Sequence, residues 1–112
     1  MKLKQESVNG VCVCRLDGSL DTKSADDLRT KLHKAAETCN GPFVVDLTKV
    51  GFVASVGLSA LISFRKQVVD KGGKLALCGL SIPIHKLFKI SYLDKLFQIT
   101  ASEAEALTAV KA

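Results

Sequence analysis

One hydroxyl in this chain stands where it could do chemistry without a catalytic apparatus. Ser55 interrupts the apolar run Phe52-Val53-Ala54-Ser55-Val56-Gly57-Leu58-Ser59-Ala60-Leu61, two residues before a glycine and at the point where a helical pattern begins. A serine at a helix start can satisfy an orphan backbone N–H as an N-cap, which contributes about 1 kcal/mol. No histidine or acid lies near Ser55 in a recognisable nucleophile motif, so the residue reads as a site that is modified or bound. Asp21 and Thr22, in the segment Gly18-Ser19-Leu20-Asp21-Thr22, are the next polar candidates, read equally well as helix caps.

The remaining reactive residue types give no second constellation. Cys12, Cys14, Cys39 and Cys78 lack the paired C-x-x-C spacing of a metal site, and His33 and His85 add no ligand pattern. The cysteines are expected to be small core hydrophobes rather than bridges. Asp46 closes an apolar strand pattern and reads as structural. Neither G-x-G-x-x-G nor G-x-x-x-x-G-K-[ST] occurs, and no metal or cofactor is expected.

These residues must be positioned by elements that the hydrophobic pattern defines. Strands are expected over 2–6 and 11–16, joined by Asn9-Gly10, a hairpin turn signal, with a loop over 17–21. Cys12, Cys14 and Leu16 fall on one face of the second strand and Val11, Val13 and Arg15 on the other. A helix follows from Ser24 to Thr38, with Ser24 or Thr22 as its cap, and Asn40-Gly41-Pro42 stops it. Phe43-Val44-Val45-Asp46-Leu47 is a third strand. A second helix starts at Ser55 or Val56, carries Leu58, Leu61, Ile62, Arg65, Val68 and Val69, and ends at Gly72-Gly73.

Leu75 to Cys78 is a fourth strand, Ser81 caps a third helix, and a short strand is expected over 96–99. Thr100 with Glu103 and Ser102 with Glu105 form two overlapping capping boxes before a terminal helix. The expected architecture is α/β: a mixed sheet of four to five strands, opening with an antiparallel hairpin and continuing in parallel, packed with about four helices. The 112 residues, 47% of them hydrophobic, fit one domain over 1–112.

Composition excludes other classes. The net charge of +5 arises from dispersed lysines with no like-charge tract, and aromatic residues make up only 5%, so no nucleic-acid surface is expected. The N-terminal residues have no signal-peptide pattern and the longest apolar run is too interrupted to span a bilayer, so a cytoplasmic protein without membrane insertion is expected.

The order of elements and the residues at their junctions resemble the STAS domain, the module of bacterial anti-sigma factor antagonists. The resemblance covers nearly the whole chain and rests on Gly18-Ser19-Leu20-Asp21, Val44-Val45-Asp46-Leu47, Phe52 to Leu58, and Gly72-Gly73-Lys74-Leu75. In that family the segment before the second helix is typically Asp-Ser-Ser-Gly-Leu, and its first serine is phosphorylated. Here that serine is Ser55; Gly57 and Leu58 match, while Ala54 and Val56 replace the acid and the second serine. The resemblance implies a non-enzymatic regulator that switches partners. Ser55 is then the phosphoacceptor, and Asp21, Thr22, Ala54, Val56, Gly57, Leu58 and Ser59 contact the partner. Two visiting proteins are implied: an anti-sigma factor serine kinase of the ATPase fold and a serine phosphatase. STAS domains also occur beside lipid ABC transporters, and an accessory subunit of that kind would leave Ser55 unphosphorylated.

Overall fold

The computed structural model describes residues 2–39 and 41–111. Asn40, expected to help stop the first helix, lies outside the described residues. Five strands form one sheet in sequence order: β1 (Lys2–Val8), β2 (Val11–Leu20), β3 (Phe43–Val53), β4 (Leu75–Cys78) and β5 (Gln98–Thr100). The β1–β2 pair is antiparallel and every later pair is parallel, as the expected mixed sheet requires. Asn9 and Gly10, at φ of 52° and 80°, make the hairpin turn in the left-handed conformation that those residue types tolerate. The helices are α1 (Ala25–Thr38), α2 (Ser55–Asp70), α3 (Ile82–Ile90) and α4 (Glu103–Lys111).

Two apolar clusters lie on opposite faces of the sheet. Cys12, Cys14 and Leu16 point to the larger cluster, which takes Leu28 and Leu32 from α1, Leu61, Phe64 and Val68 from α2, and Ile84 and Phe88 from α3. Val11 and Val13 point the other way, onto Ala106 and Val110 of α4. The two-residue alternation of a doubly covered strand thus assigns three helices to one layer and one to the other. Phe43 and Phe64 meet edge to face with ring centroids 5.2 Å apart. On α2 the inward stripe runs through Gly57, Leu58, Ala60, Leu61, Phe64 and Val68, whereas Ile62 and Val69 of the expected apolar set are exposed.

The main departure from the sequence reading is the length of β2 and β3. Residues 17–20 and 48–53, read as loop or left unassigned, continue both strands as a paired extension: Asp17 faces Lys49, Gly18 faces Val50 and Leu20 faces Val53. Register shifts between Arg15 and Asp17 and between Gly18 and Leu20 break the two-residue period, which hides the extension from a periodicity argument. Gly18, at φ of 122°, supplies the backbone freedom one shift needs. Asp46 therefore lies mid-strand, where its Oδ1 accepts the N–H of Thr48 at 2.8 Å, a structural role. A 3-10 turn over Leu93–Lys95 delays β5 to Gln98–Thr100.

Of the two expected capping boxes before α4, the Ser102 half of one forms. Ser102 Oγ accepts the Glu105 N–H at 3.2 Å and the Glu105 carboxylate reaches back to the Ala101 N–H at 3.4 Å. Glu103 instead turns to Arg15, 2.6 Å away, while Arg15 also pairs with Glu6. These two carboxylates raise the guanidinium pKa and join the first hairpin to the last helix.

Candidate functional site

Ser55 is the first residue of α2 and is exposed. The N-cap position belongs to Ala54, with φ −92° and ψ 169°, so the hydroxyl is one residue past the place where it would cap the helix. No side-chain cap is formed at this end. The expectation of an N-cap serine is therefore corrected. The Ala54 side chain has no oxygen to accept a bond, and a serine inside the first turn points its hydroxyl outward.

The N–H groups of Gly57 and Leu58 are spent on the Ala54 carbonyl at 2.9 and 3.1 Å. Ser55 and Val56 hold the amides at this helix start that lack a backbone acceptor among the described residues. They sit on the serine itself and its neighbour, within reach of any group attached to Ser55 Oγ.

What fixes this helix start is the end of β2. The Ala54 N–H donates to the Leu20 carbonyl at 2.8 Å, just beyond the Leu20–Val53 register pair. Gly57 packs against the same residue. A Cβ on Gly57 would lie 2.7 Å from both the Leu20 Cβ and the Leu20 carbonyl oxygen, so only glycine lets the helix approach this closely. Gly57 and Leu58 are buried, hence both hold the helix in place and neither presents a surface. Ala54 and Val56 are half-buried, and Ser59 is exposed one turn along from Ser55.

Asp21 and Thr22 follow Leu20 directly and so flank the helix start. The Asp21 carboxylate accepts the N–H groups of Lys23 and Ser24, both at 3.1 Å, and shapes the turn into α1. Ser24 occupies the N-cap of α1 without capping it through its side chain. Its buried hydroxyl donates to the Ser19 carbonyl at 2.7 Å and accepts the Asp21 N–H at 3.0 Å, knotting the loop shut. Thr22 is exposed and stands at the tip. Phe52, 55% exposed on the strand leading to Ser55, adds a large apolar side chain that the sequence reading had not placed among contact residues. A bulky aromatic left exposed beside a candidate site is the signal that could have singled it out.

The structure thus gathers Asp21, Thr22, Phe52, Ala54, Ser55, Val56 and Ser59 around the end of the β2–β3 extension and turns Gly57 and Leu58 inward. Such a surface can be bound and can carry a charge on one hydroxyl. Among the described residues no group of three metal-ligating side chains occurs, and no helix is long and apolar enough to cross a membrane.

Comparison with known proteins matches residues 2–106 to the STAS domain family. The anti-sigma F factor antagonist of Paenibacillus polymyxa is 31% identical over 109 residues, which cover 96% of this chain and 93% of that protein. The crystal structure of an anti-sigma factor antagonist from Mycobacterium paratuberculosis superimposes with a TM-score of 0.90 at 25% identity, covering 99% of this chain and 94% of that one. The Bacillus cell fate determinant SpoIIAA, solved in its phosphorylated form, shares the fold with a TM-score of 0.71 at 22% identity, over 97% of this chain and 99% of its own.

Proposed function

The chain belongs to the STAS domain family, and on that premise we propose that it is an anti-sigma factor antagonist whose partner binding is controlled by phosphorylation of Ser55. The observation that carries this reading is the exposed, uncapped Ser55 hydroxyl at a helix start with two free amides beside it. The relatives' names as anti-sigma factor antagonists support the general role, and a phosphorylated form is known of SpoIIAA, which shares this fold.

The physical argument concerns the unequal effect of a phosphate on fold and on binding. A phosphoserine adds a charge of about −1.5 to −2 and three acceptor oxygens. At the start of α2 the macrodipole favours that charge by roughly 0.3 to 1 kcal/mol, so the domain stays folded. A partner seated over Ala54, Val56 and Phe52 would have to enclose the charge against apolar atoms. That costs several kcal/mol unless a cation meets it, and about 1.4 kcal/mol is tenfold in affinity. The unmodified chain binds the anti-sigma factor; the phosphorylated chain is released.

The chain is then a substrate and a surface rather than an enzyme. A serine kinase of the ATPase fold, using ATP and Mg²⁺, adds the phosphate, and a serine phosphatase removes it. Ala54 and Val56, in place of the acid and second hydroxyl of the usual motif, leave the kinase fewer polar handles next to Ser55. Incubation with an anti-sigma factor kinase and ATP, followed by peptide mass mapping, tests the reading. Phosphate localised to Ser55 supports it. A chain left unmodified by kinases that phosphorylate other antagonists favours the transport-accessory role, in which Ser55 is a contact only.

A further inference from the structure

At the opposite end of the sheet from Ser55, two cysteines far apart in sequence are brought together. Cys39, just past the last turn of α1, donates its thiol to Cys12 Sγ at 2.8 Å, across 27 residues of chain. That separation is well inside ordinary sulfur–sulfur contact. Cys12 is buried at the start of β2, and Cys39 is half-buried. A cavity of about 350 Å³ opens onto both sulfurs, lined by Gln5, Glu6, Ser7, Gly10, Gly41 and Pro42. The Gln5 side-chain amide donates to Cys39 Sγ at 2.9 Å and holds it at the cavity wall.

We infer that Cys12 and Cys39 form an oxidisable dithiol, and that the cavity admits a low-molecular-weight disulfide that converts it to an intrachain bridge. Cys39 is the more exposed of the two, and burial keeps the Cys12 thiol protonated, its pKa raised above the ordinary range. The Cys39 thiolate attacks one sulfur of the small disulfide, forms a mixed disulfide and expels the first small thiol. Cys12 then attacks Cys39 Sγ, and the protons of the two cysteines pass to the two expelled small thiolates. This breaks the mixed disulfide and expels the second small thiol. Two cysteine sulfurs are oxidised, one small disulfide is reduced to two thiols, and no other oxidant enters. An S–S bond is about 2.05 Å long, so closure asks the two sulfurs to approach by less than about 1 Å.

The bridge would tie the end of α1 to the start of β2. Eight residues of strand, about 25 Å at the rise of a β-strand, separate Cys12 from Leu20 at the Ser55 end. The inference therefore stands apart from the phosphorylation reading, and either can fail without the other.

The test is exposure of the reduced full-length chain to oxidised glutathione, followed by thiol counting under denaturing conditions and peptide mapping. The expected result is two free thiols from the original four and a linked pair of peptides containing Cys12 and Cys39. With Cys12→Ser, Cys39 should stop at the glutathione adduct; with Cys39→Ser, Cys12 should stay free. Circular dichroism of both variants confirms that they are folded before oxidation. Four free thiols after exposure, or a bridge that pairs Cys12 with Cys14 instead, would overturn the inference.

Discussion

Leu20 and Gly57 are held so close that a single methyl group at position 57 would sit 2.7 Å from both the Cβ and the carbonyl oxygen of Leu20. Because the same carbonyl receives the Ala54 N–H at 2.8 Å, this contact sets the position of the helix start that carries Ser55. Ser55 is thus located by two relationships to the end of β2, and the loop bearing Asp21 and Thr22 begins at that residue.

Gly57→Ala should therefore cost about 1 to 3 kcal/mol, the usual penalty for overpacking a site with no room to relax. Urea unfolding measures it. The variant should also show altered chemical shifts at Ala54 and Ser55, since the helix start must move away from Leu20. An unchanged unfolding midpoint would mean that the helix shifts freely and that the close approach is incidental.

Ser24→Ala removes the donor to Ser19 and the acceptor for the Asp21 N–H, both in part-buried bonds. Losing them should cost about 0.5 to 1.5 kcal/mol. Hydrogen exchange at Asp21 should rise more than exchange in the sheet. Uniform protection across the loop and the sheet would contradict a local role for this hydroxyl.

Stability should fall in alkali. Burial raises the Cys14 thiol from 9.0 to about 11 and the Cys78 thiol from 9.0 to about 12. Above pH 9 the unfolded chain releases those protons and the folded chain keeps them, so the folded state binds more protons and stability declines as pH rises. The contribution is intact below pH 9 and is lost by about pH 12. Thermal unfolding between pH 8 and 11 reads this directly. Replacing Cys14 and Cys78 with alanine should flatten the slope; an equal slope in that variant would assign the decline to other groups.

The antiparallel start, the later parallel strands and the four helices could be read from periodicity and turn residues because each core-facing stripe is regular. Ser102 and Glu105 likewise marked the start of α4 correctly. The β2–β3 extension could not be read, since two register shifts and the polar stretch around Asp17 and Lys49 break the alternation that identifies a strand. Ser55 was legible as a hydroxyl at the start of the second helix, but its place inside the first turn was not. By sequence preference serine far outranks alanine at the N-cap, but the decision rests with the Ala54 to Leu20 hydrogen bond, a tertiary contact. The resemblance implied Gly57 and Leu58 as contact residues. A helix turns each residue by about 100°, so neighbours in sequence face different ways, and these two face the core.

The Cys12 and Cys39 juxtaposition was invisible for a similar reason. Both residues looked like isolated core hydrophobes, and only the parallel pairing that sets Phe43, shortly after Cys39, opposite Cys12 brings their sulfurs together. Phe52 could have been noticed, but an aromatic in an apolar run reads as core until a strand direction turns it outward.

The most direct measurement is the affinity of the chain for an anti-sigma F factor by titration calorimetry, with Ser55 unmodified, phosphorylated, or replaced in Ser55→Ala and Ser55→Glu. All four forms should have unfolding free energies within about 0.5 kcal/mol to 1 kcal/mol of one another, because the side chain is exposed and uncapped. Ser55→Ala should bind like the unmodified chain. Phosphorylation should weaken binding by about a hundredfold or more, the equivalent of roughly 3 kcal/mol of uncompensated charge at the interface, and Ser55→Glu should fall between. Equal affinity of the unmodified and phosphorylated chains would contradict the claim that the charge on this hydroxyl decides binding.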